Sequence, residues 1–337
     1  MQKDAKVDAG LAEMNGMAST EGSDSARVDP VISIVIPVFN RAHSIAPTLD
    51  SVRDQAFQDF ECLVVDDGSA DVDTLEELVS TYDRRFRVVR KSNGGASAAR
   101  NLGIDLARGR YVSLLDSDDQ FLPEKLARQV DAVRGLCDAP FLCYTKLLVD
   151  RGIGKYWVKP PRGPASGERI DEYLMADAGW MQTSTMLLPA AFARQVRFGE
   201  RLPSSQDTDF AIRCANAGAA IVFVDEPLVI MDDRYDPSRV SKQRDYRPLL
   251  RWIESMRADG VISEKSYWAY RGWQGARVAS YTCRVTALGI YCGALARGAF
   301  SPRVALTIFA QIMLPQAMYQ RIATRVVKLR GKRQEAK

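Results

Sequence analysis

From Val31 onward the chain alternates between two apolar periodicities. Residues 31–36, VISIVI, form a near-continuous β-branched run of the kind found in parallel strands buried on both faces, and Pro37 is expected to end it. Ile45, Leu49, Val52 and Ala56 then recur at helical spacing, giving one apolar face with which to cover a sheet. The alternation continues with a strand over 60–65 closing on Asp66 and Asp67, and a helix marked by Leu75, Leu78, Val79 and Tyr82. A strand over 86–90 and an Ala-rich helix carrying Arg100 and Asn101 come next. A short apolar run, 111–115, then stops at Asp116, Asp118 and Asp119. Four strands alternating with helices predict an α/β fold on a doubly wound, mostly parallel sheet. Further on, Leu126, Val130 and Val133 predict a helix, and 141–149 a strand. Phe210, Cys214 and Ala217 give one helix face behind Asp207 and Asp209, and 221–224 reads as a closing strand.

The flanks read differently. Residues 1–30 are rich in Ala, Gly, Ser, Asp and Met without apolar periodicity, which predicts a disordered leader. From about Tyr235 the pattern is helical and aromatic, with Trp252, Trp268, Tyr270 and Trp273. The expected organisation is therefore a leader over 1–30, an α/β domain over 31–235 and a helical region with a basic tail over 236–337. The most apolar segment, 304–319, contains Gln311, Pro315 and Gln316 and is shorter than the ~20 apolar residues a spanning helix needs. Beyond it Arg321, Arg325, Lys328 and Lys332 fall on one helical face beside Ile322, Val326 and Leu329. That layout fits a helix lying on an anionic membrane, and equally a helix packed on its own domain with a solvated basic face.

Charge narrows the class. The net +4 is too mild to call for nucleic acid, but residues 1–30 sum to −3 while 301–337 sum to +7. Six scattered cysteines without CxxC spacing, Cys62 and Cys137 among them, suit reduced thiols in a cytosol. No charged start followed by an apolar run opens the chain, so no signal peptide is expected and a cytoplasmic location is. Neither GxxxxGKS nor GxGxxG is present, which argues against kinase, ATPase and dinucleotide readings.

The candidate chemistry lies in three carboxylate sets: Asp66 with Asp67; Asp116 with Asp118 and Asp119; and Asp207 with Asp209. Any one set alone reads as a solvated turn. In a parallel sheet the first two converge on the carboxyl edge, where open α/β folds bind ligands. A carboxylate after the second strand suits the imide N–H of a uracil ring, since it can only accept. The middle set suits Mg²⁺ or Mn²⁺ held by one or two carboxylates and diphosphate oxygens, and the last could take a proton from an attacking hydroxyl. These parts together describe sugar transfer from a nucleotide diphosphate donor.

PVFNR, VVDDGSAD, NGGASAARNLGI, ARGRYVSLLDSDD and SSQDTDF stand in the order of the motifs of family 2 glycosyltransferases with the GT-A fold, and 31–232 resembles that family. The resemblance implies an inverting, metal-dependent enzyme using Mn²⁺ or Mg²⁺, with a UDP-sugar donor and a glycan or lipid-linked glycan acceptor, in cell-surface polysaccharide synthesis. It implies that Pro37 and Phe39 line the nucleotide pocket, Asp66 or Asp67 binds the base and Arg100 lies near the diphosphate. Asp116 would contact ribose or metal, Asp118 would be the metal ligand and Asp207 the general base. Two features depart from the pattern: Gln206 stands where the family usually has Glu, and the only histidine, His43, sits beside the first loop, where it is expected to be exposed. Trp180 and Gln182 fit either an acceptor pocket or the core, and Gly94 and Gly95 either a phosphate approach or a plain turn. A non-catalytic nucleotide-sugar-binding protein and a metal-dependent hydrolase or nucleotidyltransferase are the rival functions.

Overall fold

Residues of the β-branched run point alternately to opposite faces, and this period of two builds both halves of the core. In β1 (Ile32–Val38) and β2 (Phe60–Asp66) every residue is buried. Val35, Leu63 and Val65 enter one apolar cluster, and Ile34, Ile36, Cys62 and Val64 the other. The computed structural model describes residues 29–136, 139–177, 179–202, 204–234 and 245–314, with 318, 319, 321, 322 and 325. The expected leader up to residue 28, Cys137, the expected boundary after 235, Lys328 and Lys332 lie outside these residues.

The first half follows the expected alternation: β1, α1 (Ala46–Arg53), β2, α2 (Val72–Ser80), β3 (Phe86–Arg90), α3 (Ala96–Leu106) and β4 (Tyr111–Leu114). Next come β5 (Gln120–Phe121), α4 (Lys125–Val133), β6 (Phe141–Asp150), β7 (Tyr156–Lys159), α5 (Ile170–Met175), β8 (Leu187–Pro189), α6 (Ala190–Val196), α7 (Gln206–Asn216) and β9 (Ala220–Asp232). Among the described residues these strands form one sheet in the order β3-β2-β1-β4-β8-β6-β9-β5, with β7 paired to β6. Strands β3, β2, β1 and β4 are parallel, β8 runs against β4, and β6 and β9 are parallel to each other.

Pro37 does not end β1, which continues to Val38. Strand β4 pairs with β1 only from Ile32 to Val35, so the missing N–H of Pro37 falls where that side of the strand has no partner. Helix α1 stops at Arg53 and leaves Ala56 exposed; the inward position passes to Gln55, whose Nε2 donates to Leu122 O at 2.8 Å. The strand expected over 221–224 is the start of the much longer β9, because β6 offers a partner along its whole length.

Helices α1, α2 and α4 cover one face of the sheet. The other face is covered by α3, α5, α6 and α7, and also by α8 (Arg247–Ala258) and α9 (Glu264–Tyr270) of the helical region. Leu249, Ile253, Met256, Tyr267 and Tyr270 belong to the same buried cluster as Val35 and Leu63, each such side chain contributing about 1.5–3 kcal/mol. A separate smaller core joins α10 (Ala276–Ala279), α11 (Arg284–Leu295) and α12 (Pro302–Met313) through Ala287, Tyr291, Ile308 and Ile312. No helix among the described residues is long and apolar enough to cross a membrane.

Helix α3 lies so close on β1 that a Cβ at Gly103 would stand 2.3 Å from Val35 Cγ1. Gly103→Ala is expected to destabilise the fold by about 1–3 kcal/mol through overpacking. A urea titration reads this as a lower midpoint with unchanged slope; an unchanged midpoint would mean that α3 can lift from the sheet at no cost.

Candidate active site

Strand register brings the carboxylates to one edge. Asp66 stands level with Val38, and Leu114 with Val35, so the ends of β2 and β4 flank the end of β1 at about 10 Å, two strand spacings. Pro37 is buried within β1, while Phe39, just past its end, is 47% exposed at this edge. The next residue, Asn40, has φ 51° and is clasped to the β2 loop: its N–H donates to Ser69 Oγ, and its Oδ1 accepts from Ala70 N, both at 2.8 Å.

Asp66 and Asp67 are both buried and both hold backbone amides. Asp66 Oδ2 accepts from Gly68 N at 3.1 Å and Ser69 N at 3.2 Å, closing its own turn. Asp67 accepts from Lys91 Nζ at 2.5 Å, Gly94 N at 2.9 Å and Gly95 N at 2.7 Å. The amides of Gly94 and Gly95 are thus given to Asp67 at the start of α3, and the φ of 87° at Gly95 is a conformation that glycine adopts freely.

The three aspartates after β4 differ in environment. Asp118 keeps a quarter of its side chain in solvent, 25%, and faces the Arg41 guanidinium at 3.6 Å. Asp119 is sealed: Ser184 Oγ donates to it at 2.6 Å, Gln182 Nε2 at 2.8 Å and Asp232 N at 3.2 Å. Burial, then the charges of Asp116 and Asp118, push the Asp119 carboxyl well above the usual carboxylate range. Thr48 Oγ1 of α1 donates to Asp119 O at 2.8 Å and fixes the turn from below.

Asp116 is gripped on both oxygens. Arg100 Nη2 donates to Oδ1 at 2.6 Å and Gln182 Nε2 to Oδ2 at 3.1 Å. Arg100, only 6% exposed, also donates through Nη1 to Gln206 Oε1 at 2.8 Å, and so ties the end of β4 to the first residue of α7. Gln206 therefore occupies the place of the expected glutamate as an acceptor for a buried arginine, while its own Nε2 donates to Leu202 O at 2.8 Å. The neighbouring Asn101 secures the approach to α7, donating to Phe198 O at 3.0 Å and accepting from Phe198 N at 2.8 Å.

Asp207 lies in the first turn of α7, partly buried, and accepts from Thr208 N at 2.8 Å. Burial raises its pKa and the charge of Asp116 adds to the rise; Arg100 and a hydrogen bond from Trp180 oppose it. Asp116, Asp118 and Asp207 are thus grouped around Arg100 and the β4 turn, whereas His43 is exposed on the first loop. From the sequence Gln182 fits either an acceptor pocket or the core. Its hold on two aspartates 66 and 63 residues away carries no local signal.

The chemistry available is hard and acidic. Among the described residues no three His, Cys, Asp or Glu side chains converge on a point where they could hold a metal ion. The oxygen donors present fit a hard cation of the kind bound by one or two carboxylates and completed by substrate phosphates, with the open Asp118 as the protein ligand.

The chain is similar to known proteins over most of its length. The model of the family described as glycosyl transferase family 2 matches residues 33–146. The amylovoran biosynthesis glycosyltransferase AmsB of Erwinia amylovora is 31% identical over 257 residues, which is 73% of this chain and 83% of that protein. Among solved structures, S. aureus TarS 1-349 in complex with UDP-GlcNAc aligns over 88% of this chain and 91% of its own, with TM-score 0.56 and 19% identity. A mannosyltransferase of Pyrobaculum calidifontis in complex with GDP-Man and Mn²⁺ aligns over 90% and 88%, with TM-score 0.54 and 18% identity.

Proposed function

The chain belongs to glycosyltransferase family 2 and has the GT-A fold, and from that premise we propose that it transfers a sugar from a UDP-sugar to a hydroxyl of a glycan or lipid-linked glycan, with inversion at the anomeric carbon. The observation that carries this reading is the Arg100 bridge, which holds Asp116 and the start of Asp207's helix at one sheet edge. Synthesis of a polysaccharide is supported by the relative AmsB, and a UDP donor by the ligand of TarS.

In this reading Asp66 or Asp67 accepts from the base, Phe39 and Pro37 border the nucleotide, and Asp116, oriented by Arg100 and Gln182, meets the ribose and diphosphate region. Asp207 takes the proton from the acceptor hydroxyl as its oxygen attacks the anomeric carbon, and the bond from that carbon to the diphosphate breaks on the opposite face. A divalent cation held by Asp118 would neutralise charge on the departing diphosphate, for which Mn²⁺ or Mg²⁺ suits the oxygen donors. The catalytic unit is assigned to 31–235 and the helical region to 236–337. Peripheral attachment to the inner face of a membrane is supported by the exposed apolar side chains of α12, Leu306 at 70% and Phe309 at 42%, and by Arg321 and Arg325 exposed beside Met318 and Ile322.

Asp207→Asn is expected to retain UDP affinity and lose transfer by about 10²–10⁴, since an amide cannot accept the proton. In the parent, turnover should fall as pH drops through a pKa higher than the ordinary 3.8, because only the ionised carboxylate is a base and burial favours its protonated form. A pH profile of kcat on one preparation checks both; retained turnover in the variant would rule out the base.

Asp118→Asn is expected to abolish the Mn²⁺-dependent part of UDP binding, measured calorimetrically with and without the metal. Metal-stimulated binding equal to that of the parent would remove Asp118 from the metal site. For attachment, deleting 301–337 is expected to release the protein from anionic liposomes, given about 1 kcal/mol for each basic residue near such a surface. Equal co-sedimentation of full and shortened chains would refute it.

A further inference from the structure

Helix α7 begins from a strained position. Ser205, which precedes it, has φ 61° and ψ 27°, a left-handed conformation that a serine seldom adopts. Its side chain makes no capping bond to the helix. Instead its Oγ accepts from Tyr270 Oη at 2.6 Å, across 65 residues of sequence. Tyr270, at the end of α9, is 5% exposed and reaches this loop from the helical region. A second contact comes from α8: Trp252 Nε1 donates to Asp209 Oδ1 at 2.9 Å, in the same first turn. Arg213 holds the other oxygen of Asp209 from within α7 at 2.6 Å. The Trp252 and Tyr270 rings pack edge to face with centroids 5.8 Å apart, so the two contacts share one support.

A rotation at Ser205 would swing the whole first turn of α7 and carry Asp207 with it. We propose that Tyr270, backed by Trp252, is a positioning residue for Asp207: the helical region holds Ser205 in its left-handed conformation and thereby aims the carboxylate at the acceptor. This rests on the reading of Asp207 as the base. Tyr270 does not act on substrate; its effect passes through the backbone at Ser205. A displacement of the base by about 1 Å suffices to lower turnover by up to a hundredfold.

The test separates aiming from folding. In Tyr270→Phe, kcat should fall ten- to a hundredfold while donor KM and UDP affinity stay at the parent's values, assayed well below the melting temperature. In Ser205→Gly the left-handed conformation stays open without strain but is no longer held, since glycine adopts other conformations as readily, so the melting temperature should hold while kcat falls as in Tyr270→Phe. The effects on kcat should be less than additive in the double variant, because the Tyr270–Ser205 bond is already lost in each single one. Parental kcat in Tyr270→Phe and Ser205→Gly, with Asp207→Asn inactive, would overturn the positioning role and leave the base standing. Turnover in Asp207→Asn would overturn the base and the positioning role together. A loss of kcat that appears only near a lowered melting temperature would make Tyr270 a structural residue and overturn the proposal.

Discussion

One buried guanidinium joins the two halves of the carboxylate-bearing edge. Arg100 reaches Asp116 at the end of β4 and Gln206 on α7, and its guanidinium carbon lies 5.3 Å from the centroid of the Phe198 ring. Removing one member of a buried ion pair commonly costs about 3–5 kcal/mol because the other is left uncompensated. The spacing between the β4 turn and the start of α7 is thereby set by a rigid fork with fixed donor directions. A neutral amide at position 206 completes the fork without adding a third negative charge beside Asp116 and Asp207.

The same economy governs the rest of the edge. Three aspartates within four positions would repel one another if all were equally open, and they are not. Asp119 is enclosed by Ser184, Gln182 and the amide of Asp232, Asp116 is shared between Arg100 and Gln182, and Asp118 remains at the surface. Raising the pKa of the enclosed carboxyl relieves the repulsion on Asp116 and Asp118. Beneath them Lys125, fully buried, donates to Ser113 Oγ at 2.6 Å, and burial lowers its pKa well below the usual value.

The first half of the fold was legible because β1, β2 and β4, buried along their length, leave continuous apolar runs, and because β2 and β4 close on carboxylates at the ligand edge. The succession of β1 to β4 followed from those runs, and their helices from apolar residues at helical spacing. What escaped depended on partners distant in sequence. Whether Pro37 ends a strand is decided by where β4 stops, and the length of β9 by the length of β6. Arg100 and Gln206 are 106 residues apart, and no local period announces their contact. Lys125 shows the converse, a charged residue in an amphipathic helix that faces inward because Ser113 and the Phe121 ring receive it. The roles of individual aspartates were suggested by family likeness; no local pattern marks Gln182 or Tyr270 as their supports.

The support of α7 by α8 and α9 has a consequence for the order in which the molecule becomes complete. A ribosome adds about 5–20 residues per second, so the 65 residues between Ser205 and Tyr270 take roughly 3–13 s to synthesise. Once β9 has been made within that interval, the sheet edge and these carboxylates are complete, but the turn carrying Asp207 still lacks its outer buttress. The nascent chain can assemble its carboxylate-bearing edge early, whereas the alignment of Asp207 must await Trp252 and Tyr270.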